Sequence, residues 1–249
     1  MNRSKTANTL SLLAYERVRN KILTGEYAIG FPLSRRTLAE ELGMSLIPVS
    51  EALQRLESEG MVESKPRAGT RVRIPTSDDI RGHYIVREAL ESQSARLFTR
   101  YASRDQKNEL KDLAELVDKL SASLEKVEQP HRFEASYEFE RSHLRLHTVI
   151  AECSNCPALV EAIERSRVLI YNWLFNVASG MPSLPARWHR DLAKGLCSGD
   201  VLDADKIMRE HVTHRQEEVL RRFEKLQQQG QFDVRFVRGP HKRAQRLAG

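Results

Sequence analysis

Leu33-Ser34-Arg35-Arg36-Thr37-Leu38-Ala39-Glu40-Glu41-Leu42-Gly43-Met44-Ser45, continued by Pro48-Val49-Ser50-Glu51-Ala52-Leu53-Gln54-Arg55-Leu56-Glu57-Ser58-Glu59-Gly60-Met61-Val62, decides how the chain is read. Ser34 is a natural N-cap for a short helix whose inner face is Leu38, Ala39 and Leu42. Gly43 breaks that helix where the chain has to turn. A second helix begins near Ser45, tolerates Pro48 in its first turn and carries Val49, Ala52, Leu53 and Leu56 inward as far as Gly60, a natural C′ residue. Two short helices on either side of a glycine turn form a helix-turn-helix pattern.

The neighbouring segments complete a small domain. Upstream, Leu10, Leu13, Ala14, Val18, Ile22 and Leu23 recur at helical spacing until Gly25. Downstream the period changes, and Met61–Ser64 and Thr70–Ile74 read as short strands around the turn Lys65-Pro66-Arg67-Ala68-Gly69. The expectation is a winged helix-turn-helix over residues 8–75 and a polar linker at 76–79. Only helical periodicity follows, in runs near 80–102, 104–128, 131–153, 157–178, 185–198 and 201–229, which predicts an all-α helical bundle over 80–229. Residues 230–249 read as a basic, flexible tail. The expected fold class is therefore mainly α, with one small β-hairpin wing.

Composition agrees with two functions on one chain. Across 249 residues, 40 Lys+Arg face 34 Asp+Glu, for a net charge of +6. Residues 1–75 hold +4 of it, 76–230 hold −2 and 231–249 hold +4. A basic head on a near-neutral body suits a nucleic-acid reader joined to a sensing or assembly module. No apolar run reaches the roughly 18 residues of a membrane span, and the polar start lacks a signal-peptide core. Three cysteines, an odd number, argue against a disulfide framework and for the reducing cytoplasm.

The quoted run resembles the DNA-binding domain of GntR-type bacterial transcription regulators. Ile22-Leu23-Thr24-Gly25-Glu26 and the wing Pro66-Arg67-Ala68-Gly69-Thr70 fit the same pattern, so the likeness spans about residues 10–74. The resemblance implies that the second helix of the motif reads the major groove with its N-terminal end. Ser45, Leu46, Ile47, Ser50 and Gln54 lie on or near its outer side, together with Arg55. Arg35 and Arg36 head the preceding helix, where Arg36 matches a backbone- or base-contacting arginine of the family. Arg67 and Gly69 in the wing suit phosphate or minor-groove approach. There is a departure from the family. Many relatives carry Arg-Thr at Leu46-Ile47 and another Arg at Ser50, so a guanine-reading arginine fork is missing. Leu46 and Ile47 either touch thymine methyls or pack within the protein.

The body resembles the all-helical FCD domain (the fatty-acid-regulator C-terminal-like domain) over about residues 80–228. The resemblance is carried by Val86-Arg87-Glu88-Ala89-Leu90-Glu91, by His147-Thr148-Val149-Ile150-Ala151-Glu152-Cys153-Ser154-Asn155, and by His189, Gly199-Asp200 and Met208-Arg209-Glu210-His211. In that family an Asp and a His four residues apart join two later His residues around a metal ion. Order and spacing carry His147, His189 and His211 onto the histidines, and the Asp position falls on His143. His143 and His147 are one turn apart on a face shared with Phe139, Leu146 and Ile150, which points into the bundle. The four imidazoles suit a borderline divalent ion, Zn²⁺ or Ni²⁺. With no anionic ligand among them, an incoming carboxylate is the natural complement.

Arg87, Arg145 and Asn155 are the candidates to hold a small organic acid effector, and Asn155 also suits the helix break before Pro157. Cys153-Ser154-Asn155-Cys156 has no second pair to complete a zinc ribbon and reads as buried thiols. The expected protein is a metabolite-responsive DNA-binding regulator, more in keeping with a repressor, acting as a homodimer on a near-palindromic double-stranded operator. The alternatives are a non-specific architectural DNA-binding protein and a metal-dependent hydrolase. Four protein ligands would fill a tetrahedral site, and no general base stands near them, so no enzyme activity is expected.

Overall fold

The computed structural model describes residues 2–24, 26–66, 69–124, 126–127, 132–166 and 184–230, with side chains described outside 2–8 and 132–133. The chain divides into two compact units. One comprises the chain through Pro75 together with residues from Phe223 onward; the other is Thr76–Arg222.

In the first unit, α1 (Asn2–Leu23) is followed by β1 (Pro32–Leu33), α2 (Arg35–Leu42), α3 (Leu46–Ser58), β2 (Val62–Lys65) and β3 (Gly69–Val72). Helix α1 starts eight residues before Leu10, because nothing in the polar start breaks a helix. Ser34 caps α2 by accepting from the Thr37 amide at 3.3 Å, and Gly43 ends it in the left-handed conformation at φ 65°. Three helices then close over Ala14, Val18, Ile22, Leu38, Val49, Ala52, Leu53 and Leu56, all buried. The wing is a three-stranded antiparallel sheet in the order β1-β3-β2, with Val62 opposite Val72 and Leu33 opposite Thr70. The third strand, β1, is too short at two residues to leave a periodic signal in sequence.

The second unit is built from α4 (Ser77–Tyr101), α5 (Arg104–Leu124), α6 (Arg132–Glu152), α7 (helical over 157–166), α8 (Trp188–Leu196) and α9 (Val201–Thr213). Helix α10 (Gln216–Gln228) crosses the division between the units. Helix α4 packs on α9 and α6, and α5 packs on α6 and α8. Phe98, Leu110, Leu146, Ile150, Leu196 and Met208 fill the space between them.

Two expectations are corrected here. Residues 76–79 do not form a linker: Thr76 and Asp79 make a reciprocal capping box, so α4 begins at Ser77. The run 201–229 is two helices, broken at His214-Arg215 without Gly or Pro. Trp188 packs its ring 4.2 Å from that of His214 and 5.4 Å from that of His211, a tertiary contact that no periodicity reveals. The expected run beyond 166 and the basic tail after Gly230 lie outside the described residues.

The first unit also contains a pH-sensitive contact. Burial, and then its hydrogen bond to Glu41 at 2.9 Å, push the Tyr27 phenol up to about 12. A raised phenol stabilises the fold fully below its ordinary value near 10, and that contribution fades as the pH climbs from 10 toward 12. Thermal unfolding followed across pH 9–12 is expected to show a fall in melting temperature that is shallower in Tyr27→Phe.

Candidate nucleic-acid interface and histidine centre

Helix α3 presents its outer side as the sequence implies. Ser45 is its N-cap residue, but the hydroxyl makes no capping bond, and the side chain is exposed. Leu46 is 54% and Ile47 68% exposed, so the reading in which they pack within the protein is overturned: Val49, Leu53 and Leu56 already fill the inner stripe. Ser50 is half-buried and Gln54 exposed.

Of the nearby arginines, Arg36 projects almost fully into solvent in a loose pair with Glu40 at 3.2 Å. Such an exposed pair contributes little, so the guanidinium is available to a phosphate. Arg35 is exposed too. Arg55 is engaged, its guanidinium 3.9 Å from the centre of the Tyr15 ring and its Nε 3.2 Å from Glu59. Tyr15 donates to the same Glu59 at 2.8 Å, so Arg55 holds α1 against α3. Gly69 opens β3 at φ 82°, a conformation that favours glycine and leaves the strand start bare. Arg67 lies outside the described residues.

In the second unit, three separate helices deliver the four histidines to one place. His143 and His147 come from α6, His189 from the first turn of α8 and His211 from α9. Ligand nitrogens of His143, His189 and His211 lie within 4.8 Å of one another, and His147 Nε2 is 3.2 Å from His143 Nε2. The His147 and His211 rings are 5.1 Å apart. His189 is fully buried and His147 nearly so, while Phe139 lies 5.5 Å from the His143 ring.

Two carboxylates that the sequence reading did not single out stand behind these rings. Asp118 on α5 accepts from His189 Nδ1 at 2.8 Å, and Glu91 Oε2 on α4 lies 2.6 Å from His147 Nδ1. Burial works against the Asp118 carboxylate, yet the bonds from His189 and Arg190 outweigh it and hold the carboxyl below its ordinary value. With its Nδ1 thus occupied, His189 Nε2 is buried with no hydrogen-bond partner among the described residues. A buried polar atom left this way is costly unless something else satisfies it. A divalent cation held by imidazole nitrogens would do so, and the donor set fits such an ion.

The effector candidates separate. Arg87 is buried, and its Nε donates to Glu91 at 2.8 Å beside the centre. Arg145 is corrected: two residues from both His143 and His147, it lies on the opposite side of α6 and pairs with Glu109 at 3.0 Å and Glu152 at 2.6 Å. Asn155 is corrected likewise. It is exposed at φ 50° with its amide donating to the Glu152 carbonyl, and so it shapes the helix end. Of the paired thiols, Cys153 is buried as read, with burial pushing it up to about 11, whereas Cys156 is exposed.

Residues 10–72 match the family of bacterial regulatory proteins named gntR, and residues 83–214 match the FCD domain. A probable D-xylose utilization operon transcriptional repressor of Paenarthrobacter nicotinovorans is 26% identical over 83% of this chain and 87% of its own. The HTH-type transcriptional repressor RspR of Escherichia coli is 24% identical over 82% of this chain and 86% of its own. Among solved structures, E. coli McbR/YncC superposes with a TM-score of 0.67 at 23% identity, covering 86% of this chain and 98% of that one. A putative GntR regulator from Rhodococcus superposes equally well, with a TM-score of 0.67 at 20% identity over 84% and 97% of the two chains. These likenesses are to regulators and not to enzymes, and among the described residues no helix is long and apolar enough to cross a membrane. Both units of the chain are thus accounted for, and it belongs to the GntR family of bacterial DNA-binding transcription regulators, in the group that carries an FCD domain.

Proposed function

We propose that this regulator is a metal-dependent sensor of a small organic acid, acting in the cytoplasm as a homodimeric repressor on a near-palindromic operator. The observation that carries the sensing half is His189 Nε2, buried and without a hydrogen-bond partner among the described residues, beside the ligand nitrogens of His143 and His211. His143, His147, His189 and His211 would hold Zn²⁺ or Ni²⁺, which supplies a Lewis-acidic anchor for an oxygen ligand. Glu91 is already paired with Arg87 and Asp118 with Arg190, so neither carboxylate has a free charge to offset a dication. Four neutral imidazoles add none, so a carboxylate ligand completes the charge balance, and Arg87 is the nearest candidate to orient it. The effector regulates DNA binding to the extent that it binds two arrangements of the protein with different affinity.

At the other unit, Arg35, Arg36, Ser45, Ser50, Gln54, Arg67 and Gly69 would hold backbone and polar groups, while Leu46 and Ile47 would read thymine methyls in the major groove. Repression is supported by the two similar repressors that span most of the chain.

Elemental analysis of untagged protein is expected to find about one equivalent of metal, or uptake of one on titration. An organic acid that binds should raise the melting temperature only of the metal-loaded form. Metal below a tenth of an equivalent with no uptake removes the sensor reading. On an operator selected from random DNA, Arg36→Ala is expected to weaken binding across sequences and to lower the salt slope by about 1. It should do more harm than Leu46→Ala. Replacing the contacted thymine by uracil deletes only a methyl group. That change should weaken wild-type binding several-fold and leave Ile47→Ala indifferent, as measured by fluorescence anisotropy.

A further inference from the structure

We infer that Asp118 is a positioning residue of the histidine centre, fixing the proton of the His189 imidazole so that its other nitrogen is presented to a cation, while Glu91 supplies a charge beside His147. The inference rests on the metal reading above but stands on its own geometry. Asp118 and Glu91 belong to α5 and α4, helices that contribute none of the four histidines. Both carboxylates are almost wholly buried, where a side chain of this kind persists only with a specific partner. Among the described residues, the partners of Asp118 are the backbone and ring of His189 and the backbone and Nε of Arg190. A carboxylate accepts and cannot donate, so His189 carries a proton on Nδ1, and in the neutral ring Nε2 keeps its lone pair. Carboxylate–histidine pairs of this form orient a metal-binding ring and raise its basicity. Glu91, held by the Arg87 Nε, brings Oε2 to an ion-pair distance of 2.6 Å from His147 Nδ1 but outside hydrogen-bond geometry, so it places a charge beside that ring without fixing its proton.

A rival role for Asp118 is purely architectural. Its two oxygens accept the backbone amides of His189 and Arg190 at the start of α8, where Arg187 gives no side-chain cap. It therefore caps a helix from another element, as Asp200 caps α9 from within the chain through the Leu202 and Asp203 amides. The two roles separate by experiment.

In the full-length, untagged protein, Asp118→Ala and Glu91→Gln are each expected to weaken Ni²⁺ binding roughly 10–100-fold in competition with a chromogenic chelator. Asp200→Ala serves as the control, lowering the melting temperature through a lost cap while leaving Ni²⁺ affinity at the wild-type value. Long-range ¹H–¹⁵N NMR of the metal-free protein reads the ring protons directly. Wild-type His189 should carry the proton on Nδ1, and Asp118→Ala should move it toward Nε2. If Asp118→Ala fails to fold, Asp118→Asn, which keeps one acceptor oxygen for the start of α8, carries the test. A wild-type His189 proton on Nε2, or variants that alter neither proton position nor affinity, overturn the inference. If wild-type protein takes up no metal, the sensor reading falls, and the His189 ring proton alone decides the positioning role.

Discussion

A carboxylate buried among helices has to be surrounded by donors, and in this protein that requirement is met at one residue from which much of the sensing unit follows. Asp118 receives two backbone amides, one imidazole and one guanidinium, all from His189 and Arg190. Those bonds fix where α8 begins against α5. Once the start of α8 is set, His189 has a single place to go, and the rings of α6 and α9 meet it there. The apolar packing of Leu146, Ile150, Leu192 and Met208 supplies the cohesion, but packing alone is non-directional and would not choose the rotation of α8.

The reading unit was largely legible in sequence because its signals are local. Ser34, Gly43 and Gly60 act within one turn of where they stand, and the apolar stripes of α2 and α3 are regular. Strand β1 escaped because two residues carry no period, and it exists only as the partner of β3. The first turn of α4 looked like a linker because Thr76 and Asp79 are polar, although polar residues at that spacing also make a cap.

The sensing unit was legible only in part. The i, i+4 pair His143 and His147 could be placed on one helix face from spacing alone, and family order supplied His189 and His211. Glu91 and Asp118 could not be found that way. Each sits among other charged residues in a helix, and Asp118 is 71 positions from the histidine it serves. Arg145 lies on the side of α6 away from the histidines, and Asn155 lies past the end of that helix, placements that depend on the fold around them. The split between α9 and α10 falls at His214, whose ring lies against Trp188 of a different helix.

The exposed pair at the head of α3 has a consequence for how a reader of this kind behaves in the cell. Phosphate contacts made by guanidinium groups release counterions, so they weaken steeply as salt rises. Aliphatic contact with a methyl group releases no counterions; it removes apolar surface from water and lowers the heat capacity of the complex. If Leu46 and Ile47 read thymine methyls as proposed, affinity and discrimination would come to depend on different variables. Ionic strength would then govern how tightly the head holds DNA, and temperature how well it tells one base from another.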